Sequence, residues 1–298
     1  MRVGVLMGGI STEREVSLKS GTAVLNNLDK EKYEAVPIVI DSKKDVINKI
    51  KDIDFAFIAL HGRFGEDGTV QGILEAMGIP YSGCNVLTSA ICMNKSLTKD
   101  IAKAHGLPTA PWCLVRSANE IDYRLIEEIG YPIFIKPNNG GSSVATFFVT
   151  KAEEVRNAVE EGLKVDNEVI IEKYIKGEEI TSFVLNGEVF PTLMIKAKKG
   201  SFFDYASKYE DNGSDEVLCF LEDNIQRQVN EISSTIWNVL GCKSYARIDM
   251  IISNGIPYVL EVNTLPGLTS ASLIPKSAKA KGYEFSELLD KMIQYSLI

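Results

Sequence analysis

At 298 residues, the chain is long enough for two or three domains, and 45% hydrophobic with 24% charged residues is ordinary for a globular protein. A net charge of −8 argues against a large nucleic-acid footprint, and the longest apolar runs are strand-sized, so no membrane partner or span is expected. Five scattered cysteines without a C-x-x-C spacing predict reduced thiols and a cytoplasmic location, and His61 and His105 alone cannot supply a histidine-rich zinc site or an H-E-x-x-H protease.

Residues 1–94 alternate strand and helix, which predicts a parallel sheet with crossover helices. The N-terminus runs straight into a strand over residues 3–7 and has no signal-peptide pattern. Thr12-x-x-Glu15 reads as a capping box before a helix bearing Val16, Val24, Leu25 and Leu28. Residues 36–40 and 55–60 are further strands. Residues 70–77 form a helix and residues 79–81 a short strand. Two strand-end loops carry unusual chemistry: residues 8–15, with Gly8, Gly9, Glu13 and Glu15, and residues 61–68, with three glycines and four ionisable groups. Ligands favour the carboxyl ends of strands in such sheets. By themselves, Glu13 also suits a first helical turn and His61 a structural hydrogen bond.

A break at residues 107–112 follows a helix that includes Lys95. A strand over residues 131–137 ends in Lys136-Pro137. Asn138-Asn139-Gly140-Gly141-Ser142-Ser143-Val144-Ala145 and a return strand at 146–150 follow. G-x-x-x-x-G-K-[ST] occurs nowhere, which excludes a Walker-type site. Glycine backbones and serine hydroxyls can still approach phosphate, with Lys136 adding charge; a plain hairpin loop is the alternative. A helix at 152–163 leads to residues 168–179, an apolar strand passing into a linker whose free edge groups could hydrogen-bond an adenine through the backbone; a plain hydrophobic strand is the alternative.

Residues 180–185 and 188–195 form a hairpin about Asn186-Gly187. Residues 198–215 are long and polar around an aromatic centre, which reads as a lid. A helix at 224–240 precedes a second hairpin, about Ser253-Asn254-Gly255. Arg247 and Asp249 share one strand face there, as do Glu261 and Asn263. Oxygen ligands of this kind suit a hard cation such as Mg²⁺, whereas a charged surface with one Arg–Asp pair is the alternative. A shared metal site requires Asp249 to face Glu261, which predicts a turn of three or five residues. A final helix is expected at 276–295.

Taken together, these motifs closely resemble the D-alanine–D-alanine ligases of the ATP-grasp superfamily, over essentially the whole chain. The resemblance rests on Gly8-Gly9 with Glu13-Arg14-Glu15-Val16-Ser17, on His61-Gly62-x-x-Gly65-Glu66-Asp67-Gly68, and on Lys136-Pro137 with Gly141-Ser142-Ser143-Val144. Tyr205-x-x-Lys208-Tyr209, Arg247-Ile248-Asp249 and Glu261-Val262-Asn263-Thr264-x-Pro266-Gly267-x-Thr269 complete it. It implies an α/β (α+β) class chain in a three-domain ATP-grasp fold. An N-terminal parallel-sheet domain (1–94) would precede a central domain (95–178) and a C-terminal domain (179–298) with a lid loop at 198–216.

The resemblance also implies ATP-dependent ligation of two D-alanines through a D-alanyl phosphate, for peptidoglycan precursors. It implies ATP as co-substrate, two Mg²⁺ (or Mn²⁺), a possible monovalent cation, and a homodimer. Asp249, Glu261 and Asn263 match the metal ligands. Lys95, Lys136, Gly141, Ser143, Glu172, Lys173, Tyr174, Ile175, Glu179 and Lys208 match the ATP contacts. Glu13 and His61 would flank the first D-alanine; Ser272 and Leu273 would bind the second. Arg247 and the Gly267 N–H would stabilise the oxyanion, and Ser142 and Tyr209 would tie the lid to Glu13. Ala145 departs from the family's usual glycine and is expected to have negative φ. Tyr209 is changed in depsipeptide-forming relatives, so its retention favours an amine over D-lactate. A D-alanine–D-lactate ligase, another carboxylate–amine ligase and a non-catalytic nucleotide binder are the rivals.

Overall fold

The computed structural model describes residues 1–197, 214–269 and 272–298. Three sheets follow one another along the chain. The first is parallel, in the order β2-β1-β3, from β1 (Arg2–Gly8), β2 (Glu34–Ile40) and β3 (Phe55–Ile58). Its near-continuous apolar strands suit a sheet covered on both faces. Val3, Val5, Phe55 and Phe57 are buried with Val24 of α1 (Arg14–Asn27).

The Thr12-x-x-Glu15 capping box does not form. Ser11 Oγ donates to the His61 carbonyl (2.6 Å) and accepts from the Glu13 N–H (3.1 Å), which delays helix entry until Arg14. Glu13 therefore stands at the N-cap without spending its side chain there. Residues 79–81 form no named strand; Tyr81 makes a single bridge to Ala56. The other helices of this part are α2 (Asp45–Lys49), α3 (Thr69–Ala76), α4 (Val86–Met93) and α5 (Lys95–Ala104).

The second sheet is antiparallel, in the order β4-β7-β5-β6: β4 (Trp112–Val115), β5 (Ile133–Pro137), β6 (Phe147–Val149) and β7 (Val169–Lys173). The glycine-rich segment joins β5 to β6, as the strand–loop–strand reading expects. Alternating Ile133 and Ile135 bury against Val155 and Val159 of α7 (Ala152–Leu163); α6 (Tyr123–Ile129) adds Ile126.

The third sheet runs β11-β10-β8-β12-β13, with β9 (Glu188–Val189) paired to β8 (Glu178–Leu185). β10 (Leu193–Ala197) pairs with β11 (Ser214–Leu218), so residues 214–216, expected in the loop, are strand. Tyr205, Lys208, Tyr209 and the rest of the expected lid up to residue 213 lie outside the described residues. α8 (Asp223–Val239) presents Ile225, Val229, Ile232 and Ile236 to the core beneath β8 and β12 (Tyr245–Ser253), a spacing of three to four that keeps one helix face apolar. The helix expected at 276–295 is two helices, α9 (Leu273–Ala280) and α10 (Phe285–Ser296). Gly282, at φ +95°, breaks it. That break lets Leu288, Leu289, Met292 and Ile293 of α10 return to the first core.

Candidate active site

The hairpin of β12 and β13 (Ile256–Asn263) sets the site. Its turn has two residues, Asn254 (φ +50°) and Gly255 (φ +76°), the signs a type I′ turn needs. The odd-length turn expected from the sequence is therefore wrong. Ser253 pairs with Ile256 and Met250 with Val259, yet Asp249 pairs with Glu261. Leu260 is the extra residue of a β-bulge, which flips the alternation once and brings the two acids opposite each other. Arg247 then faces Asn263.

Asp249 is 4% exposed and nearly saturated with donors. Arg247 grips it by Nε to Oδ1 (2.9 Å) and Nη2 to Oδ2 (2.7 Å). Thr181 Oγ1 donates to Oδ1 (2.6 Å), and Asn263 Nδ2 to Oδ2 (2.9 Å). A carboxylate offers about four lone-pair sites, so a cation reaches Asp249 only if one donor yields. The Asn263 amide can do so by turning over, which replaces a donor by a ligand oxygen. Among the described residues, no group of three or more His, Cys, Asp or Glu could hold a metal. Two carboxylates and an amide do suit Mg²⁺, which completes its shell with water and phosphate.

Asp249 and Glu261 line one wall of a cleft whose empty space, open solvent included, is about 1080 Å³. β5 and the glycine-rich loop contribute Lys136, Gly141, Ser142 and Ser143; Lys95 stands at the start of α5. β7 and its exit contribute Glu172, Lys173, Tyr174 and Ile175, and β8 adds Glu179. Every described residue expected to contact ATP is thus brought to one cleft. Both edges of β7 are paired, contrary to the free edge groups expected of this strand, so backbone groups that could meet a base lie in its exit segment. There the Tyr174 N–H bonds the Pro132 carbonyl (3.1 Å), whereas the Ile175 N–H has no main-chain partner among the described residues.

Glu172 is the charge centre of this cleft. Lys136 Nζ lies 2.5 Å from Oε1 and Lys99 Nζ lies 3.0 Å from Oε2. Burial alone would raise the Glu172 pKa, but the two ammonium charges outweigh it and hold the carboxyl at about 2. Lys136 is raised: burial opposes its charge, but Glu172 and Glu261 prevail. Lys99, 1% exposed, is lowered by burial despite Glu172. Its Nζ also donates to Thr109 Oγ1 (2.9 Å). Lys99 was missed from sequence, although it stands four residues after Lys95 and so shares its helix face.

The glycine-rich loop is strained. Ser142, Ser143 and Ala145 have φ of +54°, +56° and +52°. The expectation of a negative φ at Ala145 is corrected: at φ +52° it adopts the left-handed conformation that favours glycine, at a cost of about 1–2 kcal/mol. Ser142 Oγ donates to Glu13 Oε1, joining the loop to the first sheet.

Beyond Glu13 lies a second cluster of polar groups. His61 Nδ1 bonds the Leu265 carbonyl (2.9 Å), so it carries the proton, and Nε2 accepts from Ser20 Oγ (2.9 Å). Burial lowers the His61 pKa more than Glu13 raises it, favouring the neutral ring. Both ring nitrogens are thus engaged with protein, and His61 serves to hold the segment leading to Gly267. The Gly267 N–H has no hydrogen-bond partner among the described residues. Ser272 Oγ accepts from the Thr269 N–H (3.0 Å), and Leu273 opens α9, whose N-terminal N–H groups suit an anion. Glu66, part of the 61–68 motif, was given no role from sequence. Burial and the nearby Glu13 push it up to about 8, while its Oε2 accepts from the Gly62 N–H (2.7 Å). Arg247 and Glu261 also act on it electrostatically, so this cluster adjoins the hairpin face.

Residues 101–294 match the D-ala D-ala ligase C-terminus family, and residues 2–49 and 42–84 match the D-ala D-ala ligase N-terminus family. A D-alanine–D-alanine ligase of Clostridium botulinum (strain Okra / Type B1) is 57% identical over 297 residues, covering 100% of this chain and 99% of that relative. The solved structure of a D-alanine–D-alanine ligase from Bacillus anthracis complexed with ATP matches with a TM-score of 0.91 at 45% identity, covering 100% and 97% of the two chains. The VanG D-Ala:D-Ser ligase from Enterococcus faecalis matches at 0.85 and 32% identity, covering 99% of each. Fold and cleft define a ligase of the ATP-grasp class. Within that class, the chain belongs to the D-alanine–D-alanine ligase family.

Proposed function

We propose that this chain joins two D-alanines to D-alanyl-D-alanine for peptidoglycan precursors, with ATP bound in the cleft between the second and third sheets. The observation that carries the site assignment is the shared cleft: Asp249 and Glu261 line the same space as Lys95, Lys136 and the glycine-rich loop. Phosphoryl transfer needs charge neutralisation and alignment more than a covalent protein group. Lys95, Lys136 and the N–H groups around Gly141 and Ser143 would hold the phosphates. Glu172, Lys173, Tyr174, Ile175 and Glu179 would hold base and ribose.

Asp249, Glu261 and Asn263 would hold two Mg²⁺ (or Mn²⁺), which when bound screen the charge of the transferring phosphoryl group. Glu13 would hold the ammonium of the first D-alanine, whose carboxylate accepts the γ-phosphoryl group. Ser272 and the Leu273 N–H would fix the second D-alanine's carboxylate. Its amine attacks the acyl carbon, phosphate leaves, and the amine proton is lost to solvent. Arg247, whose Nε and Nη2 bond Asp249, and the Gly267 N–H would meet the oxyanion. Because His61 has both nitrogens engaged, it would position this pocket rather than bind substrate. The test is phosphate release from ATP and Mg²⁺ with and without D-alanine, with D-lactate and D-serine as competitors. D-Alanine-dependent release with a dipeptide product supports the reading; its absence while ATP still binds overturns it.

A further inference from the structure

The loop after β3 does more than carry His61. Arg63 extends from it to the second sheet, where its Nη2 lies 2.6 Å from Asp166 Oδ1 and its Nε donates to the Asn139 carbonyl (3.2 Å). Asp166 is 6% exposed, and its other oxygen accepts from the Asn139 N–H (2.6 Å) and from Asn139 Nδ2 (3.1 Å). Asn139 immediately precedes Gly140-Gly141. The base of the glycine-rich loop is therefore fastened by Asp166 and clasped by Arg63, while its tip is tied to Glu13 through Ser142. Both contacts come from loops that flank the Glu13–His61 pocket.

The backbone that aims Arg63 is itself constrained. Phe64, 3% exposed, has φ +77°, an outlier for a bulky side chain. Its N–H bonds Asp67 Oδ2 (2.8 Å), and the Glu66 N–H bonds the Gly62 carbonyl (2.9 Å). Strain held by such a network marks a conformation that the surrounding structure enforces. An isolated half-exposed arginine would contribute little. Here its partner is a buried carboxylate, and a second prong reaches the main chain of the loop it would control.

We propose that Arg63 is a positioning residue: through Asp166 and Asn139 it holds the glycine-rich loop in register with the Glu13–His61 pocket, so that D-alanine and nucleotide tighten each other's binding. Arg63 touches neither ligand in this scheme. The inference rests on the ligase reading above.

The experiment measures binding of a β,γ-imido ATP analogue with Mg²⁺ by calorimetry, with and without saturating D-alanine, in the parent and in Arg63→Ala, Arg63→Lys and Asp166→Asn. The parent is expected to gain at least about fivefold in analogue affinity with D-alanine, the lower range of ordinary coupling. Arg63→Ala should reduce that gain to below about twofold and raise KM for D-alanine several-fold, with kcat at saturation within about twofold of the parent. Arg63→Lys keeps the charge without the second prong and should recover part of the gain. Arg63 is exposed, so its variants test the proposal even if Asp166→Asn does not fold. Coupling unchanged in Arg63→Ala, no coupling in the parent, or analogue affinity lost equally with and without D-alanine would each overturn the proposal. The ligase reading is separate: it fails only if the parent forms no dipeptide.

Discussion

Glu172 serves two lysines, and that stoichiometry predicts an asymmetry between Glu172→Gln and Lys99→Met. At an effective dielectric of about 20, charges 3.0 and 2.5 Å apart attract by roughly 5.5 and 6.6 kcal/mol before desolvation. Glu172→Gln removes both attractions at once and leaves two ammonium groups in one buried site, which costs about 3–5 kcal/mol or more. Lys99→Met removes only one attraction. It also releases the burial penalty, which already outweighs Glu172's pull on Lys99, and Lys136 still pairs the carboxylate. The net loss should be about 1–2 kcal/mol. At about 2 °C per kcal/mol for a chain of this size, calorimetric midpoints should fall by roughly 6–10 °C and 2–4 °C respectively. The comparison belongs near pH 7. The folded Glu172 pKa lies near 2, below its unfolded value, so its contribution is complete above about pH 5 and lost as pH falls towards 2. Equal midpoints, or a larger fall for Lys99→Met, would refute the two-lysine account.

Arg247→Ala should lower turnover about 10²- to 10³-fold, the usual loss for one oxyanion donor, while ATP binding by calorimetry persists; an unchanged rate removes the role. Glu66→Gln keeps an oxygen acceptor for the Gly62 N–H but cannot ionise. The folded Glu66 pKa, near 8, lies above the unfolded value, so the metal-free parent loses stability as pH rises from about 4.5 to 8. The variant's advantage in urea midpoint should grow over that window and then level off; a constant difference contradicts it. Ala145→Gly should raise stability by up to about 1 kcal/mol by removing the left-handed strain at φ +52°; a loss would show that Ala145 is not strained.

Local chemistry made much of this molecule legible. Apolar runs marked the buried strands, Asn186-Gly187 marked a two-residue turn, Asn254-Gly255 marked a hairpin whose turn length was misjudged, and the helix α7 was placed within its observed bounds. Residue types also pointed to the cleft, because lysines, glycines and acids in that order suit a polyphosphate. What escaped depends on contacts between distant residues. No local signal announces that Leu260 bulges, since the register is decided where β12 also pairs with β8. Helical periodicity ran through residues 276–295, whereas Gly282 breaks the helix so that its second half can reach the first core. Lys99 drew no notice because Glu172, its partner, lies 73 residues further along the chain. His61 read by itself as a structural hydrogen bond, which its ring makes, but its two partners, Ser20 and Leu265, come from segments no local pattern could name.

The reaction's central feature is a D-alanyl phosphate, and the fate of the carboxylate oxygen reports it. D-Alanine labelled with ¹⁸O in its carboxylate should be incubated with ATP and Mg²⁺, and the released phosphate examined by mass spectrometry. Phosphate carrying one ¹⁸O for each dipeptide formed is the expected result, because the oxygen that accepts the γ-phosphoryl group leaves with it. Unlabelled phosphate alongside dipeptide would contradict transfer to the carboxylate and the roles derived for this site.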